Sequence, residues 1–298
     1  MTVRTYTSPA GFKQALETRL RADAVLTGRA LGRQRQLVVF DRFLARIAAE
    51  LGDRVIVKGG VVLELRLARA RTTRDIDLRV IGDPTTLEAQ LRAAAARDLG
   101  DHLVFEVRAD PTHPTIEGEG IVYEGRRFRA AARLAGKPYG DPFGVDAGFA
   151  DRLVDEPEIL TGSSALEFAG VAASRYRVYP RESHIAEKLH AFTLPRSREN
   201  TRVKDLPDLA LLAQTGPFDG PRLRAALEAT FGFRGTHPLP VAVPTPPVAW
   251  AAPYARIAGS DMLPWVTIEE VTDAVREFLD PVLFGTTQTW DAEEWRWR

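Results

Sequence analysis

The sequence reads Arg54-Val-Ile-Val-Lys-Gly-Gly-Val-Val-Leu-Glu-Leu-Arg-Leu67 and, after a basic loop, Asp75-Ile-Asp-Leu-Arg-Val80. Residues 55–57 form a β-branched run typical of a buried strand, and residues 61–67 predict a short helix. A glycine pair between a strand and a helix lets the backbone approach a ligand closely and directs N–H groups toward it. We therefore expect a strand–turn–helix–strand unit whose turn, at Gly59 and Gly60, binds a phosphate group.

Two carboxylates open the second strand of this unit. Side chains at positions i and i+2 of a strand point to the same face, so Asp75 and Asp77 share one side while Ile76 and Leu78 point into the core. Two like charges this close repel each other, and a divalent cation neutralises them. Mg²⁺ prefers carboxylate oxygens together with substrate phosphates. The pair therefore predicts a metal site for Mg²⁺, with Mn²⁺ as the alternative ion.

Each motif taken alone has a simpler interpretation. A glycine pair is more often an ordinary loop, and Asp-x-Asp is more often the solvated edge of a strand. Their order, their spacing and their placement on strand, turn, helix and strand favour the functional interpretation. A phosphate-binding turn followed by a metal-binding carboxylate pair is the minimal apparatus of a nucleotidyltransferase.

The same residues resemble a known family. The segments 58–63 and 71–78, which read Lys-Gly-Gly-x-x-Leu and Arg-Thr-x-Arg-Asp-Ile-Asp-Leu, are similar to motifs of the AbiEii/AbiGii nucleotidyltransferase toxins. That family includes the mycobacterial MenT-type toxins and belongs to the DNA polymerase β-like superfamily. Segments 185–191 and 204–209 resemble the family's second pair of motifs. The resemblance spans roughly residues 35 to 215, and we identify no such match in the last 80 or so residues.

The motifs and the resemblance together predict the site. The metal ligands are Asp75 and Asp77. The expected catalytic residues are Asp75, Asp77, Lys188, Asp208 and Asp146. The expected nucleotide-binding residues are Lys58, Gly59, Gly60, Thr73, Arg74 and Asp205. The resemblance places Lys188 at the triphosphate and implies that Asp146 is the third carboxylate of such enzymes, often the base for the incoming hydroxyl.

Several of these residues have structural alternatives. Lys188 could be a surface lysine covering the apolar stripe of its helix. Asp205 is well placed to be an N-cap, and Asp208 lies near the positive end of the same helix dipole. Asp146 could simply be a strand-end or turn aspartate.

Thr73 and Arg74 lie in the basic loop 68–74, which could steer a triphosphate or a nucleic-acid backbone, or be solvated. Thr73 also occupies the place at which an antitoxin kinase phosphorylates some toxins of this type. His184 and His190 are better interpreted as packing or surface residues than as metal ligands, because no third ligand has suitable spacing.

The resemblance also implies the biological setting. It implies a toxin of a type IV-like toxin–antitoxin system that uses an NTP, modifies RNA at the tRNA 3′ end, blocks translation and has a cognate antitoxin. The alternatives are transfer to a protein or small molecule, and a non-catalytic module that binds a nucleotide or a partner. The intact Asp-x-Asp pair disfavours the last of these.

Composition limits the remaining classes. The chain has 298 residues, equal numbers of acidic and basic residues, and no cysteine, so disulfides and thiol chemistry are excluded. Zero net charge argues against nucleic-acid binding by bulk charge, although local arginine clusters permit it. Its apolar runs fall short of the roughly 20 residues that cross a bilayer. We expect a cytoplasmic protein without a membrane partner.

The rest of the pattern predicts an α/β (α+β) protein: a polymerase β-like mixed sheet with flanking helices and a mainly helical C-terminal domain. We expect the nucleotidyltransferase domain with its N-terminal helices over residues 1–155 and the helical domain, which completes the cleft, over residues 156–298. Residues 160–174 are interpreted as a connector and residues 236–253 as an extended, proline-rich strap.

Overall fold

The structure, a computed structural model, describes residues 6–67, 72–116, 124–149, 155–197 and 200–298. The α-helices in these ranges are α1 (Pro9–Thr27), α2 (Leu31–Leu51), α3 (Gly60–Arg66), α4 (Leu87–Ala96), α5 (Arg181–Thr193), α6 (Asp205–Ala213), α7 (Gly220–Arg234), α8 (Ala251–Asp261) and α9 (Ile268–Leu283). The strands are β1 (Val55–Lys58), β2 (Asp75–Val80), β3 (Leu103–Ala109), β4 (Gly125–Leu134), β5 (Lys137–Pro138), β6 (Phe143–Gly148), β7 (Glu158–Thr161), β8 (Arg175–Val178), β9 (Phe218–Asp219), β10 (Thr289–Asp291) and β11 (Arg296–Trp297).

An eight-stranded mixed sheet forms the centre of the N-terminal part. Its strand order is β3-β4-β6-β2-β1-β8-β7, with β5 paired to β4. Strand β2 lies parallel to β6 and antiparallel to β1, so the predicted strand–turn–helix–strand unit occupies the middle of the sheet. Ile76 and Leu78 are fully buried, as the period-2 pattern predicted. The expected mixed sheet with flanking helices is confirmed.

A second apolar core lies in the C-terminal part. It is built from α5 to α9 and the small sheet β11-β10-β9. From the described residues of the first half of the chain, Leu63 of α3 belongs to this core and Leu67 packs against it. The core around the large sheet continues to Val178, because β7 and β8 complete that sheet. The segment expected to be a connector therefore begins with a strand of the large sheet. We infer a division between the two parts near residue 180 rather than at 155.

The C-terminal segments differ partly from expectation. The proline-rich strap ends earlier than predicted, because α8 begins at Ala251 after a short 3-10 turn. The tryptophan-rich tail packs on the C-terminal core: Trp290 is fully buried, and its Nε1–H donates to the carbonyl oxygen of Ala213 at 3.0 Å. Within the described ranges, no helix has both the length and the apolar character needed to cross a membrane.

Candidate active site

Four charged residues form one row across the centre of the sheet. Lys58 of β1 lies opposite Asp77 of β2, Asp77 lies opposite Asp146 of β6, and Asp146 lies opposite Arg127 of β4. Directly opposed residues of neighbouring strands share a face of the sheet. The register therefore brings Lys58, Asp77 and Asp146, all predicted from the sequence, to one place and adds Arg127, which was not predicted.

The backbone at Gly59 and Gly144 leaves room for the Asp-x-Asp carboxylates. Gly59 has φ +72°, and a Cβ there would lie 1.9 Å from Asp77 Oδ2. A Cβ at Gly144 would lie 2.5 Å from Asp75 Oδ1, which accepts a hydrogen bond from the Gly144 N–H at 3.2 Å. Glycine is required at position 59 both by its backbone conformation and by the carboxylate against it.

The Asp77 carboxylate lies in an environment that disfavours its negative charge. Burial raises the pKa of Asp77 to about 6, and the nearby Asp146 and Asp75 add to the rise, while Lys58 and Lys188 oppose it. A carboxyl group that titrates near neutrality inside a cleft is a common mark of a functional site. A cation bound beside Asp77 would relieve this repulsion.

Asp146 is held by an arginine. Its Oδ1 and Oδ2 accept hydrogen bonds from Arg127 Nε and Nη2 at 2.8 and 2.9 Å. Such a two-point pair fixes the carboxylate in orientation as well as in charge. To act as the base for an incoming hydroxyl, Asp146 would have to release one of these bonds.

Lys188 is embedded between two acids of the next helix. Its Nζ lies 2.9 Å from Asp205 Oδ1 and 2.8 Å from Asp208 Oδ2. Burial alone would lower the pKa of Lys188, but the two carboxylates outweigh burial and raise it above its ordinary value. Lys188 is thus a charged cleft residue rather than a surface lysine. Asp205 is the first residue of α6, Lys204 is the N-cap, and no side chain caps that helix. The N-cap interpretation of Asp205 was therefore wrong. The Asp205 carboxylate binds Lys188 and does not cap the helix.

Glu187 links the two halves of the cleft, and sequence reasoning assigned it no role. Its Oε2 lies 3.7 Å from Lys58 Nζ on the sheet, and its Oε1 lies 3.2 Å from Arg234 Nη2 at the end of α7. The Tyr179 hydroxyl donates to Oε1 at 2.9 Å. Burial would raise the pKa of Glu187, but Lys58 and Arg234 outweigh it and lower that pKa. The carboxylate stays ionised and holds two cations from different elements.

These side chains surround a cleft of about 380 Å³ between the sheet and the C-terminal helices. Its basic lining residues are Lys58, Arg127, Lys188, Arg196, Arg202 and Arg234, and its acidic ones are Asp77, Asp146, Glu187 and Asp205. Apolar contacts come from Ile116, Ala191 and Leu194. The cleft thus has basic residues on both the sheet and the helices, with a few carboxylates between them. This arrangement is suited to binding a polyanion together with a metal ion.

Not every predicted residue lines this cleft. Lys58, Gly59, Asp77, Asp146, Lys188 and Asp205 do. Gly60 is buried at the start of α3, Asp75 is exposed at the start of β2, and Asp208 lies behind Lys188. Thr73 is buried and Arg74 is exposed, both away from the lining. Arg69 and Arg71 of the basic loop fall outside the described residues.

Two histidines of α5 border the cleft without forming a metal site. His184 is fully buried with neither ring nitrogen hydrogen-bonded, and burial lowers its pKa to about 3. His190 Nε2 lies 2.8 Å from Thr236 Oγ1, and burial likewise lowers its pKa to about 3. Both imidazoles are neutral at physiological pH. The packing interpretation of the two histidines agrees with these surroundings.

The donor set at the sheet fits a divalent cation that is completed by substrate. Among the residues that the structure describes, no three His, Cys, Asp or Glu side chains gather closely enough to bind a metal by themselves. Asp75 and Asp77 lie on one face of β2, beside Gly144 and Gly59 respectively. The Asp146 carboxylate, in contrast, is hydrogen-bonded to Arg127. Mg²⁺ usually binds one or two carboxylates and takes its other ligands from phosphate and water. The carboxylate pair matches that demand.

Comparison with known proteins identifies the family and the fold. A family model described as "Nucleotidyl transferase AbiEii toxin, Type IV TA system" matches residues 42–296. The solved structure of MenT4, a nucleotidyltransferase toxin from Mycobacterium tuberculosis H37Rv, is similar at a TM-score of 0.62 and 18% identity, covering 94% of this chain and 92% of that one. At this identity the likeness shows the fold alone.

Two Helicobacter pylori structures are more distant. A putative nucleotidyltransferase matches at a TM-score of 0.45 and 13% identity, covering 84% of this chain and 96% of that one. JHP933 matches at 0.43 and 12%, covering 82% and 94%. Likeness this low adds nothing to the fold assignment. No curated protein matches the chain.

Proposed function

The chain belongs to the AbiEii family of nucleotidyltransferase toxins of type IV toxin–antitoxin systems, and we propose that it transfers a nucleoside monophosphate from an NTP to RNA at the tRNA 3′ end. The observation that carries the proposal is the row of Lys58, Asp77 and Asp146 across the sheet, facing Lys188 over the cleft. The carboxylates that we expect to bind the metal and the cations that we expect to bind phosphate thus lie around one cleft.

Asp75 and Asp77 would hold the Mg²⁺, with Mn²⁺ as a substitute. When bound, the metal neutralises charge on the phosphoryl oxygens and lowers the pKa of the attacking hydroxyl. Gly59 keeps the space beside Asp77 open, because any side chain there would displace the Asp77 carboxylate. The Asp77 carboxyl, with its pKa raised to about 6, is mostly ionised at pH 7.5 and ready to accept a cation.

Lys58 and Lys188 would bind the triphosphate from opposite sides of the cleft. Lys188 is charged at every physiological pH, because Asp205 and Asp208 raise its pKa. Phosphoryl transfer depends mainly on positioning and on balancing charge, which two anchored ammonium groups supply. Asp205 and Asp208 hold Lys188 in place, and Asp146 orients Arg127 at the far end of the row.

An RNA acceptor is supported by the guanidinium groups near the cleft mouth. Arg196 and Arg202 line the cleft, and the Arg202 side chain is half exposed. Such groups can contact a phosphate backbone without reading its sequence. The family setting implies a cognate antitoxin as the protein partner.

Incubation with NTP, Mg²⁺ and tRNA at increasing salt tests the acceptor class. If the acceptor is RNA, transfer falls as salt rises, and removal of Arg69, Arg71 and Arg74 makes that fall shallower. Transfer that ignores salt in the unmodified protein would count against RNA. Label found on a protein or small molecule from lysate would mean that the protein is a nucleotidyltransferase whose acceptor is not RNA.

A further inference from the structure

The segment before β2 is held by side chains rather than by a sheet ladder. Thr73 lies two residues before Asp75 and is only 7% exposed. Its N–H donates to Glu64 Oε1 at 2.8 Å, and its carbonyl accepts from Arg33 Nη1 at 2.9 Å. Its hydroxyl donates to the carbonyl oxygen of Asp75 at 3.2 Å. Both backbone groups of Thr73 therefore depend on distant side chains.

Those two side chains also bind each other. Arg33 Nε donates to Glu64 Oε2 at 3.0 Å, and Arg33 Nη2 pairs with Glu64 Oε1. The Glu64 side chain is 3% exposed and the Arg33 side chain 14%. Arg33 comes from the first turn of α2 and Glu64 from α3. We call this pair the Arg33–Glu64 clamp.

The clamp acts on the strand that carries the metal-binding carboxylates. Asp75 begins β2 and is paired in register with Gly144 of β6. Two residues before Asp75, both backbone groups of Thr73 are bound by the clamp. Replacing either Arg33 or Glu64 leaves the other as a buried charge without its counterion, which is destabilising. The replacement also removes one of the hydrogen bonds that hold the Thr73 backbone. Neither clamp residue lines the cleft.

We propose that Glu64, together with Arg33, is a positioning residue of the transfer reaction that sets the place of the Asp75 and Asp77 carboxylates through Thr73. The inference rests on the proposed function, because it assigns the clamp to the same site. It concerns alignment of the reacting groups and not binding of the nucleotide. Misplacement of such groups by about 1 Å can cost on the order of 100-fold in rate.

Glu64→Gln tests the proposal, with Glu158→Gln as the matched control. Glu158 also anchors α3, through Arg66 at 2.8 Å, but it has no link to Thr73. We expect Glu64→Gln to lower kcat by roughly 10- to 100-fold while KM for NTP changes by less than about 3-fold. Glu64→Asp, which keeps the charge, should recover part of kcat and remains a test if Glu64→Gln folds poorly.

Hydrogen exchange supplies a readout that does not depend on activity. In Glu64→Gln the amides of residues 72–78 should exchange faster, while Glu158→Gln leaves them unchanged. Equal loss of kcat in both variants, a rise in KM alone, or unaltered exchange at 72–78 would overturn the proposal. Absence of transfer by the unmodified protein would instead overturn the proposed function, and the exchange result would still report on the clamp.

Discussion

Lys188 Nζ lies within 2.9 Å of Asp205 Oδ1 and within 2.8 Å of Asp208 Oδ2, so one ammonium group balances two buried carboxylates. The lysine comes from α5 and both acids from the first turn of α6. The triad of Lys188, Asp205 and Asp208 therefore joins α5 to α6, and Lys188 also presents a cation to the cleft. The stability of the fold and the proposed transfer reaction thus both depend on Lys188.

Lys188→Met should both stop transfer and destabilise the fold. Removing the ammonium deprives two buried carboxylates of the cation that lies within 2.9 Å of both, which costs on the order of 3 kcal/mol. Urea unfolding measures the loss. The double variant Lys188→Met with Asp208→Asn should regain part of that stability and none of the activity. A single variant as stable as the unmodified protein would show that the triad contributes nothing to the fold.

Gly59→Ala should abolish transfer, whereas Gly136→Ala should not. Both glycines have φ near +70°, at +72° and +73°, so both substitutions strain the backbone. Only at position 59 would the new Cβ meet the Asp77 carboxylate, at 1.9 Å, while nothing lies within 4 Å at position 136. Transfer rates and unfolding curves of the two variants separate strain from displacement. Equal transfer rates in Gly59→Ala and Gly136→Ala would mean that a Cβ at position 59 does not disturb the Asp77 carboxylate.

Acid should destabilise the protein partly through His184. Its pKa is about 3 in the folded state, against about 6.5 in an unfolded chain, so between these values the unfolded state binds more protons. Folding stability therefore falls as pH falls below about 6.5, by about 1.4 kcal/mol per pH unit at most for this group. Urea unfolding from pH 7.5 to 5 should show a shallower decline in His184→Gln than in the unmodified protein. Parallel declines would contradict the assignment of a neutral, buried imidazole.

Local patterns predicted the elements that carry the site. The alternation Asp75-Ile-Asp-Leu identified the buried and functional faces of β2, and the glycine pair located the turn, because both signals lie within a few residues. The apolar stripe beside Lys188 indicated a helix there, and the structure has α5 at this place. The strand β7 was not predicted, since a short strand among small residues has little pattern of its own.

The long-range partners could not be predicted in the same way. Arg127 and Asp146 meet only because β4 and β6 pair, and Glu187 meets Lys58 and Arg234 across elements far apart in the sequence. The chain has only five lysines, so Lys58 and Lys188 were informative, whereas its many arginines carried no signal. Glu187 stood next to Lys188 inside a recognised motif, and that position was the one signal that could have identified it.

Transfer of label from an α-³²P-labelled NTP to tRNA, resolved on a denaturing gel, tests the central claim most directly. With Mg²⁺ present, the unmodified protein should label tRNA with one or more of the four NTPs, and Asp77→Ala should fold normally and label nothing. Transfer by Asp77→Ala at the unmodified rate would contradict the assignment of the site. Absence of label on tRNA, protein and small molecules alike would contradict the transferase activity itself.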